Sequence, residues 1–335
     1  MSEPTILAVE SSCDDTSAAV IRNGKILANI VATQHVHEQY GGVVPELASR
    51  AHQQNIIPVV NQALALAKIA KTELSAVAFT RGPGLLGALL VGTAFAKSLA
   101  LGLKIPLIEV NHMQAHILAH FIDEPKPAFP FLCLTVSGGH TQLVLVKDHL
   151  EMEIIGQTTD DAVGEAFDKS AKMLGLPYPG GPTLDKLAQT GNPDRFTFPI
   201  VNLPGYDFSF SGIKTAILYF LRDQTAKNPD FITQNLPDLC ASIQQALIKT
   251  LFKKLIPAAE ALNIKEIAIA GGVSANSGLR KALTEEGEKR GWNVYIPAFQ
   301  YCTDNAGMIA MAAHFKYLKG DFTDQYASPE PRLKF

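Results

Sequence analysis

The sequence has few cysteines, and none of them form a pair at metal-binding spacing. The four cysteines lie far apart along the 335 residues, at Cys13, Cys133, Cys240 and Cys302. A disulfide framework or a CxxC metal site is therefore not indicated. Scattered reduced thiols are typical of a cytosolic protein.

Long apolar runs and a secretory signal are also lacking. No stretch reaches the roughly 18 unbroken apolar residues that a membrane-spanning helix needs. The first four residues, MSEP, include no basic segment that leads into an apolar core. We therefore expect a soluble cytoplasmic protein that neither spans nor binds a membrane.

Positive charge is scarce as well, with 29 Lys and Arg against 32 Asp and Glu and a net charge of −3. Nothing in that balance favours binding of nucleic acid by overall charge. A nucleic-acid substrate would need a local basic face or a partner protein. The hydrophobic fraction of 47% is enough for a large core, and the length suggests two or three domains.

The apolar pattern occurs twice along the chain. The first copy predicts strands and helices in the order strand 6–9, strand 16–21, strand 25–32, helix 45–67, strand 76–80, helix 85–101 and strand 106–110. The second copy predicts strand 131–136, strand 140–146, strand 152–156, helix 162–174, helix 236–262, strand 266–270, helix 274–290 and strand 293–296. Each copy therefore predicts a mixed sheet with helices on its faces.

This duplication predicts an α/β fold of two lobes with a ligand-binding cleft between them. We expect the N-terminal lobe to comprise 1–110 and roughly 305–335. The C-terminal lobe would comprise 111–304. Within it, an irregular insertion is expected around 191–235, where Phe, Pro, Gly and Asn are frequent.

Two histidines have the spacing of metal ligands. His112 and His116 would lie on one face of a helix, although two surface histidines would show the same pattern, and His120 extends it by one turn. The zinc-protease pattern HExxH is absent because Met113 follows His112.

A carboxylate occupies the corresponding place in the second copy. Asp304 follows the last predicted strand, as the histidines do in the first copy, so pseudo-twofold lobes would bring the groups together across the cleft. Two imidazoles and one carboxylate suit iron(II) or zinc. The alternative is that Thr303 or Asp304 only caps the following helix.

Three glycine-rich turns follow predicted strands, at 136–141, 179–182 and 270–276. The last leads into a helix, whose N-terminus favours an anion, whereas the first also fits an ordinary hairpin. Together they favour a bound nucleotide, without a Walker or Rossmann pattern. Asp168 could reach a ribose hydroxyl or be a solvated helix charge.

Three acidic residues cluster near the first predicted hairpin: Glu10, Asp14 and Asp15. Carboxylates there could bind a cation, orient an amine or simply occupy a turn. The sequence alone leaves these alternatives open.

Ten motifs then follow one another in a recognisable order: AVESSCDDT (8–16), YGGVVPELASR (40–50), GPGL (82–85), HMQAH (112–116), SGGHT (137–141), GEAFDK (164–169), YPGGP (178–182), FSFSG (208–212), AGGVSAN (270–276) and CTDN (302–305). Their order over nearly the whole chain resembles the Kae/TsaD family. The resemblance implies the two-lobed actin-like ATPase fold, which sugar kinases and Hsp70 share.

The resemblance also implies a reaction. A threonylcarbamoyl group would move from L-threonylcarbamoyl-adenylate to N6 of the adenine that lies 3′ to the anticodon, in tRNAs that read codons beginning with A. AMP would be released. A homologous TsaB-like partner and a small TsaE-like ATPase are implied as partners.

Site residues are implied residue by residue. His112, His116 and Asp304 match the ligands of one divalent metal, usually iron, with zinc as the alternative. Donor binding is implied for Thr135, Val136, Ser137, Gly138, Gly139, Asp168, Gly181, Asp185 and Asn276. Asp14 and Asp15 match essential acidic positions, although Asp15 replaces a more usual Glu.

These parts suggest a hypothesis for the chemistry. The metal would bind a donor oxygen and stabilise developing charge, and Asp14 or a metal-bound group would act as the base. Three rival hypotheses are a phosphotransferase or ATPase of the same fold, a metalloprotease, and a non-catalytic scaffold. A phosphotransferase or ATPase would explain the glycine turns but not the set of two histidines and one aspartate. In a non-catalytic scaffold we would expect some of these three residues to be replaced.

Overall fold

The computed structural model describes residues 3–334, and it divides into two compact units. The first unit comprises Met1–Lys126, Asp148–Met152 and Pro297–Phe335. The second unit comprises Pro127–Lys147 and Glu153–Ile296.

The strands and helices follow the predicted order closely. The strands are β1 (Thr5–Glu10), β2 (Asp15–Arg22), β3 (Lys25–Thr33), β4 (Ala76–Gly82), β5 (Leu107–Asn111), β6 (Phe131–Val136), β7 (Thr141–Asp148), β8 (Glu151–Gln157), β9 (Glu266–Ala270) and β10 (Asn293–Tyr295). The helices are α1 (Pro45–Ala67), α2 (Leu86–Leu103), α3 (His112–Leu118), α4 (Val163–Met173), α5 (Gly180–Ala188), α6 (Ser211–Thr225), α7 (Phe231–Leu262), α8 (Ser277–Arg290) and α9 (Ala306–Leu318).

Within residues 3–334, the strands form two five-stranded sheets of equivalent topology. Their orders are β3-β2-β1-β4-β5 and β8-β7-β6-β9-β10. In each sheet the central strand pairs antiparallel with the strand that follows it and parallel with its other neighbour. All residues of β1 and β6 are buried, as expected for strands covered on both faces. The predicted duplication is therefore confirmed.

The boundary between the units differs from the expected one. Residues 111–126, 148–152 and 297–304 were expected in the C-terminal lobe but lie in the first unit. The physical reason is packing, because α3 lies against α9, and α9 covers β1 and β2 of the first sheet.

The segment 191–235 was expected to be irregular, but part of it is helical. Residues Ser211–Thr225 form α6, and its buried Ile213, Ile217 and Leu221 repeat every four residues along one face. The surrounding Phe, Pro and Gly residues obscure this periodicity in the sequence. Helix α7 also begins earlier than predicted, at Phe231, with non-helical backbone at Asn235.

Helix α2 is long and apolar enough, by length and composition only, to cross a membrane. Its 18 residues have a mean hydropathy of 1.7, although Lys97 interrupts the apolar run. Buried helices of soluble proteins pass the same test, and the buried third of α2 packs on β4 and α1. One such helix is therefore weak evidence for a membrane segment.

Candidate metal centre and donor pocket

Helix α3 presents both predicted histidines in one place. The side chain of Asn111 caps the helix by accepting hydrogen bonds from the backbone N–H groups of Met113 and Gln114, at 2.9 and 3.2 Å. The helix therefore starts at His112 and continues past His116. The two imidazole rings stand perpendicular, with centroids 4.7 Å apart.

Asp304 completes the cluster within the same unit. Its Oδ1 atom lies 3.3 Å from His112 Nε2 and 3.2 Å from His116 Nε2. The three candidate ligand atoms all lie within 4.8 Å of one another. The two nitrogen–oxygen distances of 3.3 and 3.2 Å are close to the roughly 3.4 Å that separates two ligands of one tetrahedral ion at bond lengths of about 2.1 Å. The cap of α9 is Asn305, which accepts a hydrogen bond from the Met308 N–H, so Asp304 is left for other contacts.

This convergence differs from the expected one, in which Asp304 would approach from the opposite lobe. Residues 297–335 belong to the first unit together with α3. The packing of α9 on α3 brings the carboxylate to the histidines. No pairing across two lobes is needed to build this cluster.

The protonation of the cluster fits a divalent metal. His112 Nδ1 lies 3.1 Å from Glu10 Oε2 and 3.2 Å from the Ser12 hydroxyl oxygen. The carboxylate can only accept, so this contact places a proton on Nδ1, while Nε2 faces Asp304 at 3.3 Å. Burial lowers the pKa of His116, which keeps that imidazole neutral. Burial opposes the charge on both Asp304 and His112, but their attraction, together with the contacts of Asp304 to His116 and of His112 to Glu10, outweighs it. The pKa of Asp304 is therefore held well below its usual value, and the pKa of His112 is raised well above its own. Two imidazole nitrogens and an ionised carboxylate are a suitable donor set for iron or zinc.

The second unit contains a cavity of about 260 Å³ that all three glycine-rich segments help to line. Each segment contributes one glycine to the lining: Gly138, Gly181 and Gly272. Phe167 and Val273 form apolar parts of the wall. Of the predicted donor-binding residues, the cavity is lined by Gly138, Asp168, Gly181, Asp185 and Asn276.

The other predicted donor-binding residues lie beside the cavity rather than in its lining. Thr135 and Val136 are fully buried in β6. Ser137 and Gly139 belong to the turn that follows, where the Ser137 hydroxyl accepts a hydrogen bond from the His140 N–H. Gly164 packs directly against this turn: a Cβ added at Gly164 would lie only 2.5 Å from the Ser137 carbonyl oxygen.

The polar side chains of this cavity act as helix caps. Asp168 accepts hydrogen bonds from the N–H groups of Gly180 and Gly181, at 3.0 and 2.9 Å, at the start of α5. Asp185 accepts from the N–H and hydroxyl groups of Ser277, at 2.9 and 2.8 Å, at the start of α8. The segment 179–182 therefore begins a helix and follows α4, whereas the sequence suggested a turn after a strand.

Asn276 is engaged in the same way. Its Oδ1 accepts from the Leu279 N–H at 2.8 Å, and its Nδ2 donates to Gln244 Oε1 at 2.7 Å. Asp168, Asp185 and Asn276 were predicted to bind the donor. Part of the hydrogen-bonding capacity of their side chains is instead used within the protein, to fix the walls of the cavity.

Comparisons with known proteins decide the family. The family model described as TsaD, tRNA N6-adenosine threonylcarbamoyltransferase, matches residues 25–311. A protein of that name from Cytophaga hutchinsonii is 65% identical over 330 residues, covering 98% of this chain and 96% of the relative. One from Porphyromonas gingivalis is 59% identical over 333 residues, covering 98% of each chain.

The chain belongs to the TsaD family. It is a transferase that modifies N6 of an adenosine in tRNA, and a metal cofactor accompanies this activity. tRNA is therefore a substrate of this TsaD protein, in spite of its net negative charge.

Solved structures at low identity show the fold of this TsaD protein. HypF from T. kodakarensis matches with a TM-score of 0.63 at 16% identity, covering 96% of this chain and 48% of that one. Component A of the (R)-2-hydroxyglutaryl-CoA dehydratase from Acidaminococcus fermentans matches with a TM-score of 0.55 at 16% identity, covering 94% and 98%. The predicted actin-like ATPase fold is confirmed.

The acidic turn of the TsaD protein lies beside the candidate metal centre, and a side chain of α1 binds both ends of this turn. The buried His52 contacts the Cys13 carbonyl oxygen through Nε2 and the Thr16 hydroxyl through Nδ1, at 2.9 and 2.8 Å. Burial, followed by the charge of Asp304, raises the pKa of Asp15 to about 7. Among residues 3–334, the buried Oδ1 atom of Asp15 has no hydrogen-bond partner.

Sequence reasoning missed the roles of His52 and Glu10 in the TsaD site. The sequence grouped Glu10 with Asp14 and Asp15, but its side chain is fully buried and contacts His112. A signal was available, because Glu10 ends a strand whose preceding residues are predominantly apolar. A carboxylate placed there is rarely left without a charged or hydrogen-bonding partner.

Proposed function

We propose that this chain transfers the threonylcarbamoyl group from L-threonylcarbamoyl-adenylate to N6 of the adenine 3′ to the anticodon, in tRNAs that read codons beginning with A. The observation that carries the proposal is the convergence of His112, His116 and Asp304 within 4.8 Å, in a chain of the TsaD family. The glycine-lined cavity of the second unit supports an adenylate as the donor.

The proposed reaction needs no protein nucleophile. The donor is a mixed anhydride of a carbamic acid and a phosphate, so its carbonyl carbon is already activated. The N6 amine attacks this carbon, a C–N bond forms, the C–O bond to phosphate breaks, and AMP leaves. The protein has to align the amine, accept its proton and stabilise negative charge.

Asp15 is our proposed general base. A base works best when its pKa lies near the operating pH, and in the metal-free protein burial, followed by the charge of Asp304, raises the pKa of Asp15 to about 7. Its unpaired Oδ1 supports the role, because that atom has lone pairs not used within the protein. This proposal replaces Asp14 as the preferred candidate, and Asp14 is then left to orient the substrate.

His112, His116 and Asp304 would hold the metal, which we propose to be iron(II), with zinc as the alternative. When bound, the divalent ion would supply Lewis-acid stabilisation of charge on a donor oxygen. The protein's own contribution is to keep His116 neutral by burial and to hold both imidazoles on one face of α3.

The cavity residues would bind the adenylate. Gly138, Gly181 and Gly272 allow the donor to approach the backbone closely, and Phe167 and Val273 offer apolar contact to a base. The donor would be contacted only indirectly by four of the predicted residues, which fix the conformation of the turn beside the cavity: Thr135, Val136, Ser137 and Gly139. The caps formed by Asp168, Asp185 and Asn276 would keep these segments in place.

The homologous TsaB-like partner would dock on the first unit. The exposed face of α2 is formed by Leu86, Leu90, Ala94, Ser98 and Leu101, at helical spacing and without a charge. Leu86, Leu90 and Leu101 are 53%, 50% and 66% exposed, which favours an interface. We propose that this partner, with a TsaE-like ATPase, helps a chain of net charge −3 to act on tRNA.

A cytoplasmic location is part of the proposal. The four cysteines, all within the described residues, form no disulfide. Reduced thiols and a tRNA substrate both suit the cytoplasm.

The test is a transfer assay with purified complex, preformed donor and unmodified tRNA, followed by mass spectrometry of the digested nucleosides. His116→Ala should abolish the modified adenosine, because it removes a proposed ligand. His35→Ala is the matched control, since His35 is exposed and pairs with Glu38. Wild-type rates in His116→Ala, with the His35→Ala control also active, would overturn the assignment.

A further inference from the structure

The Glu10 carboxylate is completely buried at the end of β1. One oxygen, Oε2, accepts a hydrogen bond from the Thr80 hydroxyl at 2.6 Å and contacts His112 Nδ1 at 3.1 Å. The other oxygen, Oε1, accepts a hydrogen bond from the Ser12 backbone N–H. Both oxygens are therefore used inside the protein.

Burial of this charge is unfavourable for the fold alone. Moving a carboxylate out of water costs several kcal/mol even after relaxation, and neither Thr80 nor Ser12 supplies a positive charge. A neutral glutamine of the same size would cost less to desolvate, but its single carbonyl oxygen could accept either from Ser12 or from Thr80 and His112, not from both sides. The contact that a charge strengthens most is the one with His112, a candidate metal ligand.

We propose that Glu10 is a positioning residue for the metal centre. It fixes His112 with its proton on Nδ1, so that Nε2 is directed toward Asp304. It also adds a second negative charge, so that two carboxylates and two neutral imidazoles balance a divalent cation. The inference rests on the proposed assignment of His112, His116 and Asp304 as the ligands.

The first test measures metal affinity in place of activity. Apo protein is titrated with zinc in competition with a chromophoric chelator, for wild type and Glu10→Gln. Loss of the charge should weaken binding by about 10–100-fold, the usual effect of removing a partner behind a ligand. Thr80→Val is the matched control, because it removes another hydrogen bond to the same carboxylate and leaves the His112 contact; its affinity should stay near wild type.

Thermal unfolding of the apo proteins separates positioning from general stability. Apo Glu10→Gln and apo Thr80→Val should both unfold cooperatively and melt somewhat lower than wild type, since each leaves a buried polar group without a partner; only Glu10→Gln should also lose zinc affinity. Equal zinc affinity in Glu10→Gln and wild type would overturn the inference, as would a loss no larger than that of Thr80→Val.

A second measurement needs no variant. In zinc-loaded wild-type protein, nitrogen NMR of labelled histidine should show His112 protonated at Nδ1. Deprotonated Nδ1 would overturn the inference whether or not Glu10→Gln folds.

His116→Ala distinguishes this inference from the proposed function. If His116→Ala keeps wild-type zinc affinity, the ligand assignment itself fails. If His116→Ala loses zinc and Glu10→Gln does not, only the role of Glu10 fails.

Discussion

The Nε2 atom of His52 lies 2.9 Å from the backbone carbonyl oxygen of Cys13 and donates a hydrogen bond to it. Because Nε2 carries the proton, Nδ1 accepts one from the Thr16 hydroxyl at 2.8 Å. A single buried imidazole on α1 therefore holds both ends of the turn that carries Asp14 and Asp15. This connection makes the position of the acidic residues depend on a side chain far from them in sequence.

We predict that His52→Ala lowers the transfer rate at least about tenfold, because small misplacements of reacting groups are costly. Metal content should remain near wild type, since His52 contacts none of the candidate ligands directly. The free energy of unfolding should fall by about 1–3 kcal/mol, through the loss of buried hydrogen bonds. Rate, metal content and denaturant unfolding are measured on the same preparation.

The control for this prediction is His37→Ala. His37 is also buried, but its ring contacts Gln34 and the Val44 N–H, at 3.0 and 3.3 Å. It should lose stability with a smaller effect on transfer. Equal loss of transfer in both variants would show that His52 acts through general stability alone.

Asp15 should make the metal-free protein less stable at high pH. Its pKa is about 7 in the fold, against a usual value of 3.8. Between these values the folded protein holds a proton that the unfolded chain has released. Stability therefore falls as pH rises from about 4 and levels off above 7. The effect is a few kcal/mol at most, since one pKa unit corresponds to about 1.4 kcal/mol.

The variant Asp15→Asn removes this titration. Measured by denaturant unfolding in the presence of a chelator, it should be more stable than wild type at pH 8. The difference should disappear near pH 4. A difference that does not change with pH would contradict the raised pKa.

The elements were predictable where one local pattern dominates. The apolar residues of β1 and β6 and the Pro at the start of α1 predict their elements directly. Helix α6 was missed because only three buried residues, Ile213, Ile217 and Leu221, carry its period within a segment of mixed composition.

The candidate site was predictable by residue type but not by arrangement. His112 and His116 are neighbours through helix geometry alone, and the structure places them together. The contact of Glu10 with His112 joins residues 102 positions apart, through strand pairing and helix packing that no local pattern encodes. The same holds for the capping roles of Asp168 and Asp185.

The exposed apolar face of α2 gives a prediction about the proposed TsaB-like partner. Leu90→Glu places a charge on a residue that is 50% exposed, so the fold should be little affected. Binding should weaken strongly, because a desolvated charge in an apolar interface lacks a partner. Light scattering of mixtures with the partner measures the complex.

Leu218→Glu is the matched control, since Leu218 is also 50% exposed but lies on α6 in the second unit. It should bind the partner as wild type does. If both variants bind normally while wild type forms the complex, the partner uses another surface.

Gly164 gives the sharpest prediction for the donor cavity. A Cβ at this position would lie 2.5 Å from the carbonyl oxygen of Ser137 and 2.9 Å from the Cα of Gly138. Both atoms are backbone, so Gly164→Ala must displace the turn that lines the cavity. We expect the dissociation constant of a non-reactive adenylate analogue to rise about tenfold, corresponding to about 1.4 kcal/mol. Isothermal titration measures it, and Gly102→Ala, where an added Cβ meets nothing within 4 Å, should bind as wild type does. Unchanged affinity in Gly164→Ala would mean that the donor binds away from this turn.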